Sequence, residues 1–170
     1  MLFRSQITAM HSPASGLPHL LAPAGFIDGA SGGATNLFGW VATGLVEEAR
    51  SLASPTLLPA SINDAQNDIA SPTFGAYRSQ NRAAECLDSV LAILALVSSQ
   101  ALSVSDRHPA PPLAGLLAGI RSVFPPVETE RAGQGAQAGQ VADVLHKAAL
   151  TGLLDFPGHS CLAARSLAPA

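Results

Sequence analysis

The sequence predicts an all-α fold. No run of alternating apolar and polar residues is long enough to make a half-buried strand. Apolar residues recur instead at steps of three and four in several segments. Prolines and glycines fall mainly between those segments, where helix breakers belong.

Residues 1–25 are punctuated by Pro13, Gly16, Pro18, Pro23 and Gly25 and read as an irregular lead-in. Residues 28–36, DGASGGATN, are small and form a loop. Residues 37–53 read as a helix, with Leu37, Val41, Leu45 and Leu52 spaced mostly by four. Glu47 and Arg50 can pair on its solvated side, and Pro55 closes it. Residues 54–72 hold three prolines and four Asn/Asp, so they cannot be one regular helix.

The longest helix is expected over 73–103, started by Ser71-Pro72-Thr73. Its first half carries Arg78, Arg82, Glu85 and Asp88, and its second half contains VLAILALV, apolar on every face. A helix apolar all round is buried on all sides. In a chain of 170 residues, that points to helices supplied by another chain. After a linker at 106–112, a short amphipathic helix spans 113–124 and stops at Pro125-Pro126. Polar residues 127–136 precede a last helix over 141–154, with Val144, Ala148 and Leu153 on or near one face. Residues 26–155 thus form one helical region and residues 156–170 a loose tail.

Composition narrows the function. Charged residues make 12 % of the chain, against roughly 25 % in an average soluble domain. A helical protein so poor in charge is expected to oligomerise and cover part of its surface. The net charge is −3 and Lys147 is the only lysine, so nothing resembles a phosphate-neutralising patch. Neither nucleic acid nor a membrane is expected as a partner on that ground. The longest strongly apolar run, 90–97, has eight residues, whereas a membrane span needs about 20. The start, MLFRSQITAM, turns polar too early for a secretory leader. Cys86 and Cys161 stand 75 apart with no C-x-x-C, which excludes a disulfide framework and a zinc ribbon. A cytoplasmic location is expected.

Four segments, in order, carry a family pattern. Glu47-Glu48-Ala49-Arg50-Ser51-Leu52-Ala53-Ser54-Pro55 keeps Glu48, the basic Arg50, Leu52-Ala53 and Pro55 of a helix end like S-E-N-K-x-L-A-x-P. Ala65-Gln66-Asn67-Asp68-Ile69-Ala70-Ser71 keeps Gln66, Asp68 and Ser71 of a connector like N-Q-E-D-x-x-S. Residues 91–102 follow L-A-I-E-L-L-A-A-A-Q-A-L, including Gln100. Residues 120–131 follow V-R-x-x-V-P-x-L-x-x-D-R. In these segments the chain resembles the aromatic amino-acid ammonia-lyases, the family of histidine, phenylalanine and tyrosine lyases. The resemblance covers about 17–155 and corresponds to the C-terminal third of such an enzyme.

The resemblance implies a helical tetramer whose active sites combine residues from several subunits. It implies elimination of ammonia from an aromatic amino acid by way of a methylidene-imidazolone (MIO) made from an Ala-Ser-Gly tripeptide. It places Gln66 and Asn67 at the two substrate-binding positions of the connector. Asn67 stands where histidine-specific enzymes carry glutamate. An amide hydrogen-bonds but cannot act as a base, which favours an aromatic substrate over histidine. Ala65 departs from the usual Asn. Read without the resemblance, Gln66 and Asn67 make an Asx-type turn before a helix.

The family's G-S-V-G-A-S-G-D segment is absent from the sequence, so no cofactor is expected from this chain. An MIO would come from an N-terminal part on a complementary lyase chain. Ala30-Ser31-Gly32 looks like the precursor, but Gly33-Ala34-Thr35 replaces the expected continuation and Gln66 follows too soon. A tight turn suits those small residues. The expected function is therefore a partial ammonia-lyase, inactive alone; the alternative is a non-catalytic helical interaction module or remnant.

Other candidates reduce to simpler roles. Asp64 and Asp68 fit a turn and a helix cap. His159 and Cys161 lack a further ligand for a metal site, and Gly158-His159-Ser160-Cys161-Leu162 lacks the second glycine of a nucleophile elbow. His108 and His146 read as surface residues. Tyr77 and Arg78 begin the long helix just after the connector. No residue is assigned a catalytic role or a metal.

Overall fold

A computed structural model describes residues 2–25, 35–53, 72–105, 107–128 and 134–150. The described residues form α1 (Leu2–His11), α2 (Asn36–Leu52), α3 (Pro72–Ser103), α4 (Ala114–Val123) and α5 (Gln134–Leu150). Short 3-10 turns lie at Pro13–Ser15, His19–Leu21 and Pro111–Leu113, and no strand occurs among these residues. The all-α expectation holds. α3 is the axis, a rod of roughly 48 Å at 1.5 Å per residue. The other four helices all pack against it, α1 also meets α2, and α4 also meets α5.

The lead-in is the first correction. Its prolines begin only at Pro13, so the preceding residues are free to form α1. Ile7 and Met10, three apart on one face, anchor α1 to the core, with Ile7 fully buried. His11 then ties α1 to the start of α2. Its Nε2 lies 2.8 Å from Thr35 Oγ1, and that hydroxyl donates its proton to Leu20 O at 3.2 Å. His11 is therefore the donor to Thr35, as a neutral ring protonated on Nε2. Burial, and secondarily His19, hold its pKa below the usual histidine value.

α2 forms as its spacing predicts, and of its two apolar stripes only one turns fully inward. Phe38 and Ala42 are buried and Leu45 packs beside them, whereas Leu37 and Val41 are 63 % and 53 % exposed. Both sets have helical spacing, so periodicity alone could not choose between them. Phe38 decides the matter by meeting Phe124 edge to face, with ring centroids 6.0 Å apart at 77°.

In α3, Val90, Ala92, Ile93, Leu96 and Val97 are buried, and Leu91, Leu94 and Ala95 are half-buried. The chain's own helices thus cover most of the all-apolar stretch. Each full burial of such a side chain stabilises the fold by roughly 1.5–3 kcal/mol. By length and composition, Phe74–Ser103 could cross a membrane, with a mean hydropathy of 1.6 in its most apolar window. Counting eight uninterrupted residues understated this, because Ser98, Ser99 and Gln100 break the run without adding charge. Half of that window is buried inside the bundle.

α4 stops where predicted, ahead of Pro125-Pro126, with Phe124 N–H donating to Ile120 O at 2.8 Å. α5 begins at Gln134, earlier than its apolar spacing indicates. The Gln- and Ala-rich first turns extend it despite Gly135 and Gly139.

Candidate functional site

The connector that carries Gln66 and Asn67 lies outside the described residues. So do Asp64, Asp68, Ala30-Ser31-Gly32, His159 and Cys161. The structure does place the two helices that bracket the connector. α2 leads into it and α3 receives it.

Those helices are braced by one charged cluster. Arg82 Nε donates to Glu48 Oε1 at 2.7 Å and Arg82 Nη2 to Glu48 Oε2 at 3.1 Å, a two-pronged clasp from α3 to α2. Arg82 Nη1 also donates to Glu85 Oε2 at 2.9 Å. The guanidinium holds the Glu48 carboxyl below its ordinary pKa, and the two carboxylates push the Arg82 pKa higher still. Cys86, buried and free, sits beneath the cluster. Burial, then the Glu48 charge, raises its thiol pKa and disfavours the thiolate. Glu48 is thus a fixed anion that sets the hairpin geometry, and it is not poised to exchange protons. On the far side of the connector, Phe74, Tyr77 and Arg78 are exposed on the first turns of α3.

The sequence holds a second Ala-Ser-Gly tripeptide. Ala14-Ser15-Gly16 is exposed beside a 3-10 turn. Ser15 Oγ donates to Ser12 O at 2.7 Å and accepts from Leu17 N at 3.2 Å, and Gly16 takes φ +74°. A methylidene-imidazolone needs a site that excludes water and stray nucleophiles. An open surface turn whose serine ties the chain reversal does not fit that precursor.

Sequence reasoning also passed over the role of Gln100. Its side chain is 1 % exposed and makes three bonds. Nε2 donates to Leu21 O and to Val127 O, both at 3.1 Å, and Val127 N donates to Oε1 at 2.8 Å. Gln100 therefore pins the α1–α2 segment and the residues after α4 to α3. It also holds Leu20 and Leu21, which adopt φ of 51° and 58°, a conformation rare for branched side chains. The signal was in the sequence, as a lone amide at the end of an apolar helix.

Of the histidines, His108 is exposed, while His146 Nε2 lies 3.2 Å from Asp88 Oδ2 and links α5 to α3. No group of three His, Cys, Asp or Glu could hold a metal among the described residues.

Comparison with known proteins gives the frame for these observations. The sequence profile of the aromatic amino acid lyases matches residues 1–122. The crystal structure of histidine ammonia-lyase from Trypanosoma cruzi superposes with a TM-score of 0.76 at 23 % identity. The match covers 89 % of this chain and 29 % of that one, so this chain spans less than a third of the solved enzyme's length. At that identity the likeness concerns the fold. No curated protein sequence matches. With the profile running through α1, α2, α3 and most of α4, the chain belongs to the aromatic amino acid lyase family.

Proposed function

We propose that this chain serves as the C-terminal helical part of an ammonia-lyase acting on an aromatic amino acid. The profile match across residues 1–122, on both sides of the connector, carries the reading. In it, Gln66 and Asn67 bind the substrate by hydrogen bonds, and the Glu48–Arg82–Glu85 clasp fixes the two helices from which they hang. The remainder of the lyase fold comes from a complementary lyase chain or segment. The methylidene-imidazolone, carried by that other part, supplies the electrophile that activates the substrate. The assembly is an oligomer joined through helices and works in the cytoplasm, where Cys86 stays a free thiol.

A second reading, a non-catalytic helical interaction module, is favoured by the exposed Leu37, Trp40 and Val41 on α2. One experiment separates the two. The chain is co-expressed with the N-terminal part of a lyase carrying an intact G-A-S-G-D segment. Ammonia release is then followed with phenylalanine, tyrosine and histidine. Activity that Gln66→Ala abolishes, and that Asn67→Glu moves toward histidine, supports the catalytic reading. A stable but inactive complex sinks it and leaves the interaction module. Intact mass of the chain alone tests whether any Ala-Ser-Gly in it cyclises; loss of two waters would show that it does.

A further inference from the structure

At the C-terminal end of α3 lies a cleft of about 650 Å³, lined by Gln100, Arg107, His108, Arg121, Pro126 and Glu128 among others. Two of the chain's nine basic residues meet here, in a protein with very few charges. Neither arginine forms an ion pair with a described carboxylate. Arg121 is half-buried on α4 and its only hydrogen bond among the described residues is a long one, Nη2 to Ser99 O at 3.5 Å. Its Nε is shielded from solvent and has no acceptor. A guanidinium offers five donors in a fixed fork, and buried donors almost always find partners. Arg107, exposed on the segment leaving α3, brings a second fork to the same space. Among the described residues, the cleft's remaining titratable groups are the exposed His108 and Glu128.

We propose that this cleft binds a small divalent oxyanion, a phosphate monoester or a dicarboxylate, between Arg107 and Arg121. The anion supplies the acceptors that Arg121 lacks, and a slight turn of its guanidinium brings Nε to bear. Glu128 on the lining selects against monovalent anions, which gain too little from two guanidinium groups to offset its repulsion. The site does not depend on lyase activity.

The test titrates the full chain with inorganic phosphate and, separately, with malonate, at ionic strength held constant with sodium chloride. Calorimetry and backbone amide shifts report binding. Saturable binding of either anion, with shifts centred on Ser105, Arg107 and Arg121, is the expected result. Arg107→Gln and Arg121→Gln should each weaken it roughly tenfold. Arg107 lies outside any helix, so its variant tests the site without disturbing the core. The tighter of the two anions names the ligand class. Non-saturable binding, or affinity unchanged in both variants, overturns the proposal. So does binding that emerges only after Asp106→Asn or Glu130→Gln, because the chain's own carboxylate would then be the occupant.

Discussion

Gln100 illustrates how one polar side chain can organise an apolar bundle. Three hydrogen bonds leave it almost fully satisfied while it joins three separate stretches of chain. Gln100→Ala would strand the Val127 amide and two carbonyls in the interior. We expect a loss of about 3 kcal/mol, read as a lower urea midpoint at unchanged slope. The neighbouring His11 makes stability depend on pH. Its pKa is lowered by burial in the folded chain and returns to about 6.5 when unfolded. The unfolded state therefore takes up the proton first as pH falls. The His11 contribution is fully present above pH 6.5, is lost as pH drops from there through the folded pKa, and then levels off. His11→Gln keeps a donor for Thr35 but cannot titrate. The difference in unfolding free energy between the wild type and this variant should change across that window and be flat above it. A constant difference at every pH would contradict the assignment.

Among the elements, α2 and α3 matter most, because they hold the connector between them. The Arg82 clasp is solvent-exposed, so its contribution is screened by salt. Arg82→Met should lower the melting temperature at low ionic strength, and the gap to the wild type should close in high salt. A gap indifferent to salt would mean that packing of the arginine stem, and not charge, joins the helices. These elements also mark what sequence can and cannot reveal. α3 was legible from end to end because no proline interrupts it and its apolar run is long. α4 was legible because Pro125-Pro126 ends it. α1 was hidden by the prolines that follow it, since punctuation seen in one half of the lead-in was extended to the whole. The inward face of α2 is not legible in the sequence because Leu37–Val41–Leu45 and Phe38–Ala42–Leu45 are both periodic, and the choice lies in a contact with Phe124, 86 positions away. The candidate site shows the same division. Gln66 and Asn67 could be picked out only through the family pattern, since a Gln-Asn pair in a turn has no signature of its own. The arginine cleft gave no signal at all, because Arg107 and Arg121 converge only once α3 and α4 are packed.

At the scale of the whole molecule, the described residues bury one apolar core and leave several large apolar side chains on the exterior. Leu37, Trp40 and Val41 line one side of α2 at 53–75 % exposure, and Phe74 and Tyr77 project from the start of α3. Scattered apolar residues on a surface are ordinary, but a helical stripe with a tryptophan in it is the mark of a face that gets covered. The chain spans 29 % of the histidine ammonia-lyase it superposes on. Under the proposed function, the rest of the lyase fold is what covers these residues. Trp40 is the only tryptophan, so it reports on that face without labelling. In the isolated chain its fluorescence should be red-shifted and readily quenched by iodide, as befits a ring 75 % exposed. Adding the complementary lyase part should move the emission to the blue and protect it from iodide. Trp40→Ala, which touches little within the chain itself, should weaken that association by about 2 kcal/mol or more while leaving the melting temperature of the isolated chain nearly unchanged. If complex formation leaves the emission where it was, the partner docks elsewhere, and the α2 face is then open to a second copy of this chain. Sedimentation of the isolated protein over a range of concentrations would detect that copy directly.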